Sequence, residues 1–259
     1  MAPTRITVNG RALAVDHREG KGPTIVWLGG FRSDMTATKA SALDAWAASG
    51  GHAFLRFDYS GHGASEGRFV DLVVSDWLAD ALGVIGARAP DGPLVLVGSS
   101  MGGYLALLAA ERLGARVAHM VLIAPAPDFT ERLIWANLPE AARQTLLAEG
   151  VWSRPSAYAP EPTPFTRALI EDGRGHLLLE RGLGLTCPID ILHGTADPDV
   201  PWQLSTELMG ALPLARVALT LVKGGDHRLS TPDDLSLLVR TVAAAVAPPV
   251  AVDPSATHG

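Results

Sequence analysis

The chain has 259 residues, 47% of them apolar and 19% charged, with a formal net charge of −6 and one cysteine. That length and apolar content suit one large α/β domain with a sizeable core. The acidic balance, with no Lys/Arg cluster to override it, argues against nucleic acid or an anionic membrane as partner. A single Cys187 allows neither an internal disulfide nor a multi-cysteine metal site.

The first residues, MAPTRITVNGRALAVD, lack the basic start and apolar stretch of a secretory signal, and they are not an Arg- and Ser-rich transit peptide. No stretch reaches the 18 or so uninterrupted apolar residues of a membrane span. A cytoplasmic location is therefore expected. Residues 5–8 and 12–16, separated by Asn9-Gly10, read as a β-hairpin. Short apolar runs follow at 24–28, 53–57, 94–97, 120–124, 189–193 and 217–222. Each is rich in β-branched or aromatic residues and ends in a breaker or an Asp.

Between these runs lie helical patterns at 38–48, 71–88 (its start reading partly as loop), 101–113, 205–212 and 232–246. The last has Thr231 at the N-cap and Pro232 at the first helical position. Strand–helix alternation with near-continuous apolar strands predicts a mostly parallel central sheet covered by helices on both faces, with the hairpin antiparallel at one edge. Residues 127–186 break the rhythm with six prolines and helical pieces at 140–149 and 165–171. They read as a small lid inserted into one domain, 1–246, and the Pro/Ala-rich residues 247–259 read as a flexible tail.

The chemistry is concentrated at strand ends. Gly98-Ser99-Ser100-Met101-Gly102 places G-x-S-x-G between a predicted strand and a predicted helix. A sharp turn there would hold the Ser100 hydroxyl exposed, and the helix N-terminus would favour a developing negative charge. A serine hydroxyl needs a base to become a competent nucleophile. Downstream, His193-Gly194-Thr195-Ala196-Asp197-Pro198-Asp199 follows a strand, and Gly224-Gly225-Asp226-His227 follows the last one. The order serine, acid, histidine is that of the α/β-hydrolase fold. Asp197 is the candidate acid, with Asp199 as competitor, and His227 is the candidate base. His193 reads as structural, and His62, in a Ser60-Gly61-His62-Gly63 loop, as a residue that could line the site. The Phe31 N–H, after Gly29-Gly30, and the Met101 N–H are the candidate oxyanion donors. No metal or organic cofactor is indicated: there is no Walker lysine, no H-E-x-x-H and no zinc spacing.

Arg56-Phe57-Asp58-Tyr59-Ser60-Gly61-His62-Gly63 resembles the strand-and-loop signature of many α/β-hydrolases. Ser33-Asp34-Met35 with Lys39-Ala40, Val97 to Gly103, Gly150-Val151-Trp152-Ser153 with Pro155-Ser156 and Tyr158, Val200-Pro201-Trp202, and Asp226-His227-Arg228 look more narrowly like the mitochondrial acyl-protein thioesterases also described as mycophenolic acid acyl-glucuronide esterases. The similarity runs from about residue 22 to 243. It implies hydrolysis of acyl thioesters or esters, with Ser100, Asp197 and His227 as triad and acylated protein or acyl-glucuronide as substrate. A small-ester carboxylesterase, a carbon–carbon bond hydrolase and a binding module that kept the fold are the alternatives. Trp135, Trp152, Tyr158 and Phe165 of the lid are candidates to line an acyl pocket.

Overall fold

Asn9 and Gly10 both take positive φ, 49° and 79°, so the first two strands meet in a tight two-residue turn whose twist matches their own. These strands are β1 (Thr4–Val8) and β2 (Arg11–Arg18). A computed structural model describes residues 3–155 and 161–247. The chain continues through β3 (Lys21–Leu28), α1 (Thr38–Gly50), β4 (His52–Phe57), α2 (Val74–Arg88), β5 (Leu94–Ser99), α3 (Met101–Leu113) and β6 (Val117–Ile123). After an insertion carrying α4 (Glu140–Glu149), β7 (Val151–Arg154), β8 (Thr163–Thr166) and α5 (Arg167–Gly173), it resumes with β9 (Ile189–Gly194), α6 (Gln203–Gly210), β10 (Val217–Val222) and α7 (Pro232–Val246).

Eight strands form one sheet in the order β1-β2-β4-β3-β5-β6-β9-β10. Within it β4, β3, β5, β6, β9 and β10 run parallel, and β1 and β2 are antiparallel at one edge, as the hairpin predicted, while β7 and β8 pair antiparallel in a separate two-stranded sheet. Strand side chains alternate between faces. Val26, Leu96, Leu122 and Ile191 face the core filled by α2, α3 and the insertion, whereas Ile25, Val95, Val121 and Leu192 face the core under α1 and α7. The near-continuous apolar strands are thus explained by burial on both sides. Thr231 caps α7: its hydroxyl accepts the Asp234 N–H while the Asp234 carboxylate accepts the Thr231 N–H.

Two expectations shift. Phe165, assigned to a helical piece at 165–171, lies in β8, paired with Trp152 of β7; the helix begins only after Thr166, whose hydroxyl accepts the Leu169 N–H as N-cap. The helix expected at 205–212 sits two residues earlier, because Leu204 N–H already bonds back to Pro201 in the turn that starts it. Of the expected tail only Ala247 falls among the described residues, as the C-cap of α7. No helix among the described residues is long and apolar enough to cross a membrane.

Candidate active site

The site is assembled from four loops at the carboxyl ends of β3, β5, β9 and β10, where open α/β sheets gather ligands. Between β5 and α3, Ser100 adopts φ 56° and ψ −119°, a conformation costly for a residue with a side chain. Close packing holds it there. A Cβ at Gly98 would lie 2.4 Å from the Gly102 carbonyl oxygen, and one at Gly102 would lie 2.0 Å from that of Leu28. Glycine is required at both positions because backbone, which cannot swing aside, occupies the space.

The Ser100 hydroxyl is 3.0 Å from His227 Nε2, and His227 Nδ1 is 2.7 Å from Asp197 Oδ2. The turn after β9 aims the acid: Asp197 Oδ1 accepts the N–H groups of Asp199 and Val200 at 2.8 and 2.9 Å. Asp197, and not its competitor Asp199, therefore meets the histidine. The two loops are stitched together. Ala196 N–H donates to the Gly225 carbonyl, Gly224 N–H to the Thr195 hydroxyl, and Thr195 N–H to the Val222 carbonyl. Asp226 Oδ1 accepts from Arg228 and Leu229 N–H and so closes the histidine turn. From α1, the Lys39 ammonium donates to the Arg228 carbonyl.

The Asp197 side chain is fully buried and that of His227 is 17% exposed. Burial alone would push the Asp197 carboxyl up. Hydrogen bonds from His193 and His227, the nearby His227 charge and the Val200 N–H outweigh it and hold the group well below the usual carboxylate range. Asp197 thus stays ionised beside an imidazole at neutral pH. Lys39 is pushed down to about 8, chiefly by burial and then by Arg228, against the opposing pull of Asp226 and Asp234.

The Met101 N–H opens α3 and has no acceptor in the preceding turn. The Phe31 loop runs directly over the β5–α3 turn, the elbow that carries Ser100, since a Cβ at Gly30 would come within 3.3 Å of the Ser99 carbonyl and 3.5 Å of Ser100 Cβ. The Phe31 side chain packs into a ring cluster built from distant segments: Phe69 at 4.9 Å, Phe129 at 5.6 Å, Trp77 and Phe165 at 5.8 Å between centroids. Trp152 continues the stack from Phe165 at 6.3 Å. Arg32, next to Phe31, reaches the insertion through hydrogen bonds to the Pro162 carbonyl and the Thr163 hydroxyl.

Of the four aromatics expected to line an acyl pocket, Phe165 and Trp152 are brought to Phe31. Trp135 is instead held between the guanidinium groups of Arg143 and Arg174, 4.7 and 5.0 Å from its ring, and makes no ring contact with that cluster. Tyr158 lies outside the described residues. His62 is buried behind the cluster against Tyr59, Phe69 and Trp77, and burial drives it down to about 4, so it is a neutral wall residue. Phe69, Trp77 and Phe129 were not anticipated; no local pattern marks them. Asp197, Asp199 and His227 place ligand-type atoms within 4.8 Å of one another, but His227 Nδ1 and Asp197 Oδ2 are already hydrogen-bonded to each other.

A hydroxyl, an imidazole and a buried carboxylate in hydrogen-bonding sequence, beside a helix N-terminus, can take a proton from the hydroxyl as it attacks a carbonyl and return it to a leaving group. Comparison with known proteins places the chain among hydrolases. The profile described as "Alpha/beta hydrolase family" matches residues 25–236. The chain is 37% identical over 233 residues to palmitoyl-protein thioesterase ABHD10, mitochondrial, of Mus musculus, covering 89% of this chain and 77% of that protein. The solved structure of alpha/beta hydrolase domain-containing protein 10 from mouse superposes with a TM-score of 0.86 at 34% identity, covering 94% of this chain and 98% of the other. A crystal structure of a protein from Agrobacterium vitis S4 superposes with a TM-score of 0.91 at 46% identity, covering 95% and 98%.

Proposed function

The chain belongs to the alpha/beta hydrolase family and is a hydrolase, and from that premise we propose that it cleaves acyl thioesters or carboxylic esters through a Ser100–His227–Asp197 triad. One observation carries the proposal: the line of hydrogen bonds from Ser100 Oγ through His227 to Asp197.

The reaction proceeds in two halves. His227 removes the Ser100 proton as the hydroxyl oxygen attacks the acyl carbonyl, and the oxyanion is held by the N–H groups of Phe31 and Met101. The imidazolium then protonates the departing thiol or alcohol, leaving an acyl-enzyme. Water, deprotonated by neutral His227, attacks that ester and releases the acid. Asp197 stays ionised throughout, fixes the imidazole tautomer and stabilises the imidazolium.

Likeness to a palmitoyl-protein thioesterase supports an acylated protein or peptide as substrate, with acyl-glucuronides in the same class of activated ester. The near-parallel Phe31–Phe165–Trp152 stack, which begins on the oxyanion loop, supports an apolar acyl group seated against rings. A second reading, a carboxylesterase for small esters, is favoured by how closely Phe69, Trp77, Phe129 and Phe165 fill the space around Phe31. Purified protein assayed on palmitoyl-thioester peptide, p-nitrophenyl esters and an acyl-glucuronide distinguishes these. Ser100→Ala should lower kcat on every active substrate by roughly 10³-fold or more and abolish fluorophosphonate labelling; turnover unchanged in that variant refutes the mechanism.

A further inference from the structure

Asp197 has two imidazole neighbours. His193, near the end of β9, turns its ring toward the acid, with Nε2 3.0 Å from the Val200 carbonyl and 3.2 Å from Asp197 Oδ2, while Nδ1 lies 2.7 Å from Ser205 Oγ of α6. The His193 and Asp197 side chains are shut off from solvent, and Ser205 is fully buried. Nε2 faces only acceptors and therefore carries the hydrogen, which is directed at the Val200 carbonyl and has the carboxylate as its longer, second partner. Nδ1 then presents its lone pair, and the Ser205 hydroxyl donates to it. The ring is thus locked in one tautomer and one orientation. The charged and titratable groups at Asp197 are His227, His193 and the Asp199 carboxylate, which lies within 4.8 Å of the Asp197 and His227 atoms.

We propose that His193 is a positioning residue of the reaction, whose Nε2–H shares Asp197 Oδ2 with His227 and so sets both the direction of the carboxylate and how much of its negative charge falls on the base. The proposal rests on the reading that Asp197 serves His227. A carboxylate oxygen that accepts from two N–H donors divides its charge between them, and losing one donor concentrates the charge on the other. Without His193, Asp197 would stabilise the imidazolium form of His227 more strongly, and a higher pH would be needed before the base is free to accept the Ser100 proton. Loss of the ring would also free the carboxylate to rotate, which acts on kcat more than on KM. Ser205, though it touches neither acid nor base, would influence both by fixing the His193 tautomer.

The test is the pH dependence of kcat and kcat/KM on p-nitrophenyl butyrate for the wild type, His193→Phe, His193→Gln and Ser205→Ala. His193→Phe keeps the bulk of a ring but has no donor. It should lower kcat roughly five- to tenfold with KM little changed, and move the acid limb up by about half a pH unit. His193→Gln, whose amide can donate to the carboxylate, should recover most of both effects. Ser205→Ala should shift both in the same direction by less, and it carries the test if His193→Phe does not fold. A wild-type kcat and acid limb in His193→Phe, or in Ser205→Ala in that case, overturns the proposal. Asp197→Asn run alongside separates the two readings. If it is fully active, the role of Asp197 itself falls; if it is inactive beside a wild-type-like His193→Phe, only the role of His193 falls.

Discussion

Phe165 of β8 is stacked with Phe31 of the loop after β3, the rings 10° from parallel with centroids 5.8 Å apart. A residue of β8 is therefore packed on the residue whose N–H is the proposed oxyanion donor. Phe165 is also nearly fully buried, at 3% exposure. Phe165→Ala should remove a ring that limits the acyl space and shift preference toward longer acyl chains. The measurement is kcat/KM on p-nitrophenyl acetate, butyrate, octanoate and palmitate. An unchanged ranking across chain lengths would show that the ring only packs the insertion onto the sheet.

The two carboxylates after β9 should behave differently. Asp197 contacts the imidazole directly, whereas Asp199 supports it with a backbone N–H. Asp197→Asn should reduce kcat by roughly 10³- to 10⁴-fold, since an amide can leave the imidazole in the wrong tautomer. Asp199→Asn keeps that N–H and should stay within several-fold of the wild type. Matched assays at neutral pH decide it, and comparable losses in both would mean the acid is shared.

Gly102→Ala tests the packing that holds the elbow. Its Cβ would meet the Leu28 and Gly29 carbonyl oxygens at 2.0 and 2.5 Å, both backbone atoms of the strand and turn leading to Phe31. The elbow and the oxyanion loop must separate to admit it. Activity should be lost together with several degrees of melting temperature, by the same steric cause. A variant with the melting temperature and kcat of the wild type would mean that these loops yield more easily than their close approach indicates.

Lys39 links stability to pH. Its folded value of about 8 lies below the ordinary 10.5, because burial and Arg228 disfavour the ammonium. Between those values the unfolded chain binds more protons than the folded one, so this group makes the protein more stable as pH rises from about 8 to 10.5. Below 8 both states are charged and the full cost is present. Lys39→Met removes that cost, and its stability relative to wild type should be greatest near pH 7 and decline by at most about 3 kcal/mol on going to pH 10.5. Urea unfolding of both proteins at the two pH values measures it; a flat difference would contradict the prediction. Turnover should fall in the variant at every pH, because the Arg228 carbonyl, next to His227, loses its support.

Where local chemistry punctuates the chain, the sequence was readable. Met101–Leu113 and Pro232–Val246 match residue for residue, one opened by the tight Gly98–Gly102 turn and the other by Thr231 and Pro232. Ser100, Asp197 and His227 were legible because each sits directly after a well-marked strand. The β7–β8 pairing was not, since Trp152 and Phe165 are joined through a proline-rich stretch that carries no hairpin signal, and Phe165, four residues before Leu169, reads as part of the face of the helix that follows it. The ring cluster around Phe31 draws on residues 69, 77, 129 and 165, and contacts that distant leave no periodic trace. The nearness of His193 to Asp197 had a signal in their four-residue spacing, but the histidine lies near the end of a strand and the aspartate in the turn beyond it, so only the folded chain shows that they face each other.

The base rides on the loop after β10, and β10 is the outermost strand, joined to the sheet through β9 alone. Edge strands are the first to fray, because half of their main-chain groups have no neighbour to hold them. Partial loosening of that margin would carry the imidazole out of register with the serine while the central strands and their two cores stay intact. Catalytic competence is thereby tied to a margin of the sheet, and inactivation by heat or denaturant would run ahead of the collapse of the fold.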